Sequence, residues 1–385
     1  MSEHRPLPLG RLGVVGGGQL ARMMVPAAAR LGFEVTVLDP IQASPGGQLA
    51  HQQIVGDLHD PGALRALVES CDLTTFEIES IDAGTLATLA AEGHCVQPAP
   101  ATLACIQDKL KQKQRFLDAG IPTSPFAALD APSARALADF GLPVVQKARR
   151  GGYDGRGVAV FTDAVVEDRV LPAPSLMERF VAFRSELAVL VARSTTGEVS
   201  TWPVVEMVFD ESANVLDLLL APARVDADIA DRAREIAIDA VKALDGVGVF
   251  GVELFLTHTN EILVNEVAPR PHNSGHWTIE ACRTCQFEQH VRAVAGLPLG
   301  STEQHSAAVM VNLLGAPDAA GAPCVLGLES ALAVPGMSLH LYGKHSASPF
   351  RKMGHLTITA STLDEALAKA EQARAGLRIG GSEGA

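Results

Sequence analysis

Apolar positions along this chain fall in two rhythms, and their alternation predicts its elements. Residues 12–15 form a short apolar run, Gly16-Gly17-Gly18 follow, and residues 19–31 carry Leu20, Met23, Met24 and Ala27 at helical spacing; residues 35–38 are apolar again. Strand, tight turn, helix and strand in that order predict a parallel sheet with helices on its faces. Residues 73–78 read as a later strand of that sheet, ending in an acidic tip at Glu77 and Glu79. A basic amphipathic helix over 109–119 leads to Pro122 and Pro125, which mark a boundary. Strands follow over 143–147, 175–180 and 186–191, then a periodic helix over 229–244 and two strands over 249–257 and 262–267. The tail adds short strands near 309–313, 338–341 and 355–359 and a last helix over 363–375.

The two strands at 249–267 carry the strongest chemical signal. An even-length turn centred on Thr259-Asn260 would pair Thr257 with Ile262 and set Glu253 opposite Glu266. Opposed side chains in an antiparallel pair share a face about 5 Å apart. Two carboxylates so placed repel, and a divalent cation relieves the repulsion; with Asn265 beside them they are hard oxygen ligands suited to Mg²⁺. The alternative is a wet polar face that tolerates the pair. An odd-length turn would send one glutamate to the other face.

Charge and composition narrow the classes. The 385 residues are 47% hydrophobic with a formal net charge of -13, enough for two or three cored domains and wrong for a non-specific nucleic-acid binder. No apolar run approaches the roughly 20 residues of a membrane span, and the N-terminus lacks a secretion signal, so the expectation is a cytoplasmic protein with no membrane partner. Six irregularly spaced cysteines, with one C-x-x-C at Cys282 and Cys285, read as reduced thiols.

Two glycine-rich segments suit anions. Gly16-Gly17-Gly18-Gln19-Leu20-Ala21, with Asp39 about 20 residues on, fits a dinucleotide fingerprint; the same geometry suits any phosphate, or only a tight turn. Lys147 precedes a loop with four glycines across 151–157, interleaved with Tyr153 and Arg156, which predicts a lid that folds over polyphosphate.

Lid loop, paired glutamates and NEVAPRPHNSGHWT together resemble the ATP-grasp superfamily and, within it, the 5-(carboxyamino)imidazole ribonucleotide synthases. GGGQLARMM, TFEIES, QDKLKQKQ, RRGGYDGRG and RKMGH stand in that family's order and cover nearly the whole chain. The resemblance implies an α/β (α+β) fold with a Rossmann-like N-terminal domain (1–108), a linker helix and small lid domain (109–185), and a C-terminal ATP-grasp domain with a small β-rich tail (186–385), as a homodimer. It implies ATP, Mg²⁺ and bicarbonate acting on 5-aminoimidazole ribonucleotide.

Carried over by position, ATP contacts are Lys109, Lys147, Gly152, Tyr153, Asp154, Gly155, Arg156, Gly157, Val158, the adenine-reading segment Glu178-Arg179-Phe180-Val181, the ribose acid Glu186, Phe209, Asn265 and Glu266. Metal ligands are Glu253 and Glu266. Substrate contacts are Gln19, Leu20, Glu77 (or Glu79), Tyr153, Arg156, His272, Asn273, Lys344, Arg351 and Lys352, with the first glycine turn taking the 5′-phosphate. Lys147, Tyr153, Arg156 and His272 are the expected catalytic groups, His272 as candidate base. Phe209 replaces a common His, so any polar contact there is lost or moved to Glu206; Lys109 replaces an Arg; Ser346 and Ser348 replace a Glu and an Arg. A formate-dependent glycinamide ribonucleotide transformylase and, on the glycine turn and Asp39 alone, a nicotinamide-dependent oxidoreductase are the competing readings.

Overall fold

The computed structural model describes residues 9–152, 157–210 and 215–382. Its N-terminal sheet runs Gln52–Val55, Phe33–Asp39, Gly10–Val15 and Leu73–Phe76, all parallel. Successive side chains of Gly10–Val15 face opposite ways, so one short strand serves two cores. Leu12 and Val14 pack with Met24 of helix Gln19–Arg30 and with Phe287, Val291 and Val294 of a distant helix, Gln286–Val294. Val15 joins Leu38, Leu64, Leu67, Phe76 and Leu86 on the other side. Burying a side chain the size of Phe287 contributes about 1.5–3 kcal/mol, and here that burial fixes the N-terminal sheet to the rest of the chain.

The acidic tip expected after Phe76 is not a tip. The strand ends at Phe76, and Glu77 turns inward and is buried.

A small antiparallel sheet follows, ordered Phe126–Leu129, Ser175–Arg179, Val144–Ala148 and Val158–Phe161. Its core is modest, built on Leu129, Leu137, Val144 and Phe161. The large sheet pairs its strands antiparallel, from Ile262–Ala268 and Gly248–Thr257 through the long Phe183–Arg193 to Lys352–Ala360 and Met337–Leu341. Residues 187–192, apolar without alternation, occupy its buried centre between two other strands. Helix Ala227–Ala243 lays Ala233, Ala237 and Ala240 on this sheet; side chains that small let the helix come close.

Helix Lys109–Asp118 crosses between the sheets. Asp108 caps it, accepting from the N–H groups of Leu110 and Lys111. Its inward stripe is Gln112, Lys113 and Phe116, so a helix that reads as basic and amphipathic buries a lysine.

Candidate active site

The carboxylate hairpin is where sequence and structure part most instructively. Glu253 does stand opposite Glu266, but by another route. The turn pairs Leu256, not Thr257, with Ile262, and that register alone would send the two acids to opposite faces. A β-bulge restores them: Leu254 pairs with Val264 and Glu253 with Glu266, leaving Asn265 as the extra residue. Asn260, at φ 62°, makes the tight turn, and Thr257 Oγ1 accepts from the N–H groups of Thr259 and Glu261.

Around the pair the charges interlock. Lys109 Nζ donates to Glu266 Oε2. Lys147 Nζ donates to Asn265 Oδ1 at 2.8 Å and lies 3.2 Å from Glu178 Oε2. His272 Nε2 lies 3.4 Å from Glu253 Oε1, while its Nδ1 faces Ser274 Oγ at 2.8 Å. The two acids therefore split. Lys109, with Lys147 behind it, holds Glu266 well below the ordinary carboxylate range; burial and the repulsion of Glu266 and Glu186 push Glu253 up. Burial likewise pushes Glu186 up to about 7, against the field of Lys147. Among the described residues no three His, Cys, Asp or Glu side chains converge to hold a metal by themselves.

At the glycine-rich loop, Tyr153, Asp154, Gly155 and Arg156 lie outside the described residues. The loop's base is anchored: Ala148 N donates to Gly157 O at 2.8 Å, and Arg149 makes a bidentate pair with Asp108 at 3.0 and 2.7 Å. On the far side of the loop from Gly152, Val158 is exposed. The segment from Glu178 to Val181 joins the small sheet to the large one, with Phe180 N donating to Pro143 O and its ring exposed. Phe209 packs on apolar neighbours, and Glu206 does not replace a lost polar contact there, because Arg224 takes both its oxygens at 2.9 and 2.6 Å.

The first glycine turn corrects an expectation. Part of the amide ring expected to receive a phosphate at Gln19 and Leu20 is already taken, the Leu20 N–H included. Glu77 accepts from Gly18 N at 2.5 Å, Leu20 N at 2.9 Å and Ala21 N at 3.0 Å, and Asp39 accepts from Gly17 N at 2.9 Å. A helix N-terminus is a ready anion site, and this chain fills it with its own carboxylates. A Cβ at Gly18 would stand 2.5 Å from Glu77 Oε1, so the glycine is required by Glu77. Leu20 is buried.

Gln19 keeps a polar role, accepting from Lys344 Nζ at 3.1 Å across 325 residues. Lys344 also donates to the carbonyl of Lys352 at 2.5 Å. Arg351 Nη1 donates to the carbonyl and hydroxyl of Ser346, so that serine holds the arginine in place of an acid. Asn273 exchanges hydrogen bonds with Asn312 at 2.9 and 3.1 Å. Arg270, 2.9 Å from Glu79, stands on the same side and was not foreseen. Nor were Lys113 and Ser124, which share Glu178 with Lys147. A signal for Lys113 was available: it lies at helical spacing with Lys109, Gln112 and Phe116, on the inward stripe.

Family models match in three consecutive stretches: a ribonucleotide synthetase preATP-grasp domain over 9–107, an ATP-grasp domain over 114–287, and a phosphoribosylaminoimidazole carboxylase C-terminal domain over 308–369. The N5-carboxyaminoimidazole ribonucleotide synthase of Synechococcus elongatus is 41% identical over 92% of this chain and 90% of its own. The crystal structure of the Thermotoga maritima N5-carboxyaminoimidazole ribonucleotide synthetase superposes with a TM-score of 0.90 at 46% identity, covering 97% of this chain and 100% of that one. An Aspergillus clavatus N5-carboxyaminoimidazole synthase, solved with ADP and 5-aminoimidazole ribonucleotide, superposes with a TM-score of 0.85 at 36% identity, covering 95% and 98%. With this similarity running through all three matched domains, the chain belongs to the N5-carboxyaminoimidazole ribonucleotide synthase family of ATP-grasp ligases.

Proposed function

We propose that this protein carboxylates the 5-amino group of 5-aminoimidazole ribonucleotide with bicarbonate, at the expense of ATP, in purine biosynthesis. The observation that carries this reading is the convergence of Glu253, Glu266, Lys109 and Lys147 between the two antiparallel sheets, within a chain of that family.

Bicarbonate is a poor electrophile at neutral pH. Its oxygen attacks the γ-phosphorus of ATP, the bond to ADP breaks, and carboxyphosphate forms. Loss of inorganic phosphate frees CO₂ beside the amine; nitrogen bonds to that carbon and gives up one proton. Phosphoryl transfer is chiefly positioning and charge dispersal, the work of a fixed ammonium such as Lys147. Glu253 and Glu266 would hold Mg²⁺, and the ion would neutralise charge on the triphosphate. The fit is physical: a pair of opposed carboxylates, one already leaning on a lysine, gains from a divalent cation. Glu186 supplies an acceptor for the ribose, and Phe180 with the backbone of Glu178, Arg179 and Val181 the adenine cleft.

On the other side, Lys344, Arg351 and Lys352 bring cations to the ribonucleotide phosphate beside the glycine turn, with Gln19 orienting Lys344. Lys344→Met tests this. His272 is the candidate base, and its nearness to Glu253 gives it a second task of holding that carboxylate. A homodimer is the proposed assembly. The proposed site of action is the cytoplasm; among the described residues no helix is long and apolar enough to cross a membrane.

The deciding experiment is ADP release with Mg²⁺ and bicarbonate, with and without 5-aminoimidazole ribonucleotide. Turnover should require the nucleotide and bicarbonate. Equal turnover with formate and glycinamide ribonucleotide would overturn the assignment.

A further inference from the structure

Glu178 Oε2 is shared by two lysines from different elements. Lys113, on helix Lys109–Asp118, lies 3.3 Å from it, and Lys147, on strand Val144–Ala148, lies 3.2 Å from it. Ser124 Oγ donates to the same oxygen at 2.9 Å. Lys113 and Glu178 are nearly sealed from solvent, 2% and 3% exposed.

The two ammonium groups are held very differently. Lys113 spends all three of its N–H directions on fixed partners: Thr123 Oγ1 at 2.6 Å, Ser124 Oγ at 2.7 Å and Glu178. Thr123 is itself tied to the hairpin, donating to Val264 O at 2.8 Å. Lys147, among the described residues, has Asn265 and Glu178 as its polar partners, which leaves one direction for another acceptor. Burial would raise Glu178, yet Lys147 and Lys113 keep it below the ordinary carboxylate range, so it is an anion facing two cations. Removing Lys113 would leave Lys147 as the one lysine in ion-pair contact with this buried carboxylate among the described residues. A buried charge without a partner is strongly disfavoured, so Glu178 would then clamp Lys147.

We propose that Lys113 is a positioning residue for phosphoryl transfer: by satisfying Glu178 permanently, it leaves Lys147 free to turn its ammonium to the ATP phosphates. This rests on the reading of Lys147 as a phosphate ligand. Lys113 touches no substrate; it acts through the carboxylate that both lysines share.

Lys113→Met should lower kcat/KM for ATP by roughly tenfold, an interaction of about 1.4 kcal/mol, and leave KM for 5-aminoimidazole ribonucleotide unchanged. Adding Glu178→Gln removes the clamp, and the double variant should recover to within about threefold of the original enzyme. A merely structural role predicts the reverse, since the double variant breaks the buried cluster further. Should Lys113→Met not fold, Ser124→Ala loosens the same oxygen and should show the same selective loss, about threefold. Unchanged ATP kinetics in folded Lys113→Met, or a double variant no better than the single one, overturns the proposal. Lys147→Met is the control on the underlying reading: if it turns over ATP normally, the phosphate assignment fails, whatever Lys113 does.

Discussion

At the N-terminal glycine turn a carboxylate, Glu77, completes a ring of backbone donors; at the hairpin, Glu253 and Glu266 are met by side chains, an imidazole and an ammonium on a long flexible stem. Both places concentrate charge next to a sharp turn, and both read from sequence as ligand sites. Backbone N–H groups cannot withdraw, so the bonds of Gly18, Leu20 and Ala21 to Glu77 work as structure. Lys109 can swing away from Glu266 when a stronger cation arrives, so the hairpin can exchange its partner. A binding site needs occupants that can leave.

The largest effect is expected at the hairpin. Glu266→Gln should still fold and cut ADP release on the order of 1,000-fold, about 4 kcal/mol of transition-state stabilisation. Normal turnover would break the contrast. Glu77→Ala should do the opposite, orphaning three amide donors and costing about 3 kcal/mol of stability in urea unfolding, while nicotinamide nucleotides still fail to bind in a fluorescence titration. Next comes Lys344→Met, expected to raise KM for 5-aminoimidazole ribonucleotide about tenfold with KM for ATP unchanged.

The smallest effect sharpens the picture through pH. Glu186 has its folded-state value raised from 4.5 to about 7 by burial. The folded state therefore holds that proton more tightly, and the stability it confers is complete below about 4.5 and lost as pH rises through about 7. Glu186→Gln should accordingly be about 1 kcal/mol more stable than the original protein at pH 8 and indistinguishable from it near pH 4.5, measured as urea midpoints without nucleotide. A difference that grows on acidification would refute burial as the cause.

Several elements were legible because a local rule fixes them. Helix Ala227–Ala243 and strands Gly248–Thr257 and Ile262–Ala268 follow from periodicity within a residue or two. Lys147 and Glu266 stand out because their motifs are specific. The hairpin shows the limit: the opposition of Glu253 and Glu266 was foreseen with the wrong turn, and it holds only because a bulge at Asn265 offsets an odd register. A bulge is a one-residue event with no composition of its own. Lys113 escaped because a lysine on a basic helix is usually solvated, and only the packing of that helix against Glu178 turns it inward.

By itself the sequence determined several of the strands and helices, the residues able to carry charge to a triphosphate, and the family, since these depend on spacing of a few residues and on motifs read in line. Tertiary structure alone decided that the glycine turn is filled by Glu77, that Gln19 meets Lys344, and that two lysines share Glu178. Those outcomes join residues from 31 to 325 positions apart. At such separations which partner reaches a charge first is settled by how whole sheets and helices pack, a sum of many weak contacts that no short window of sequence contains.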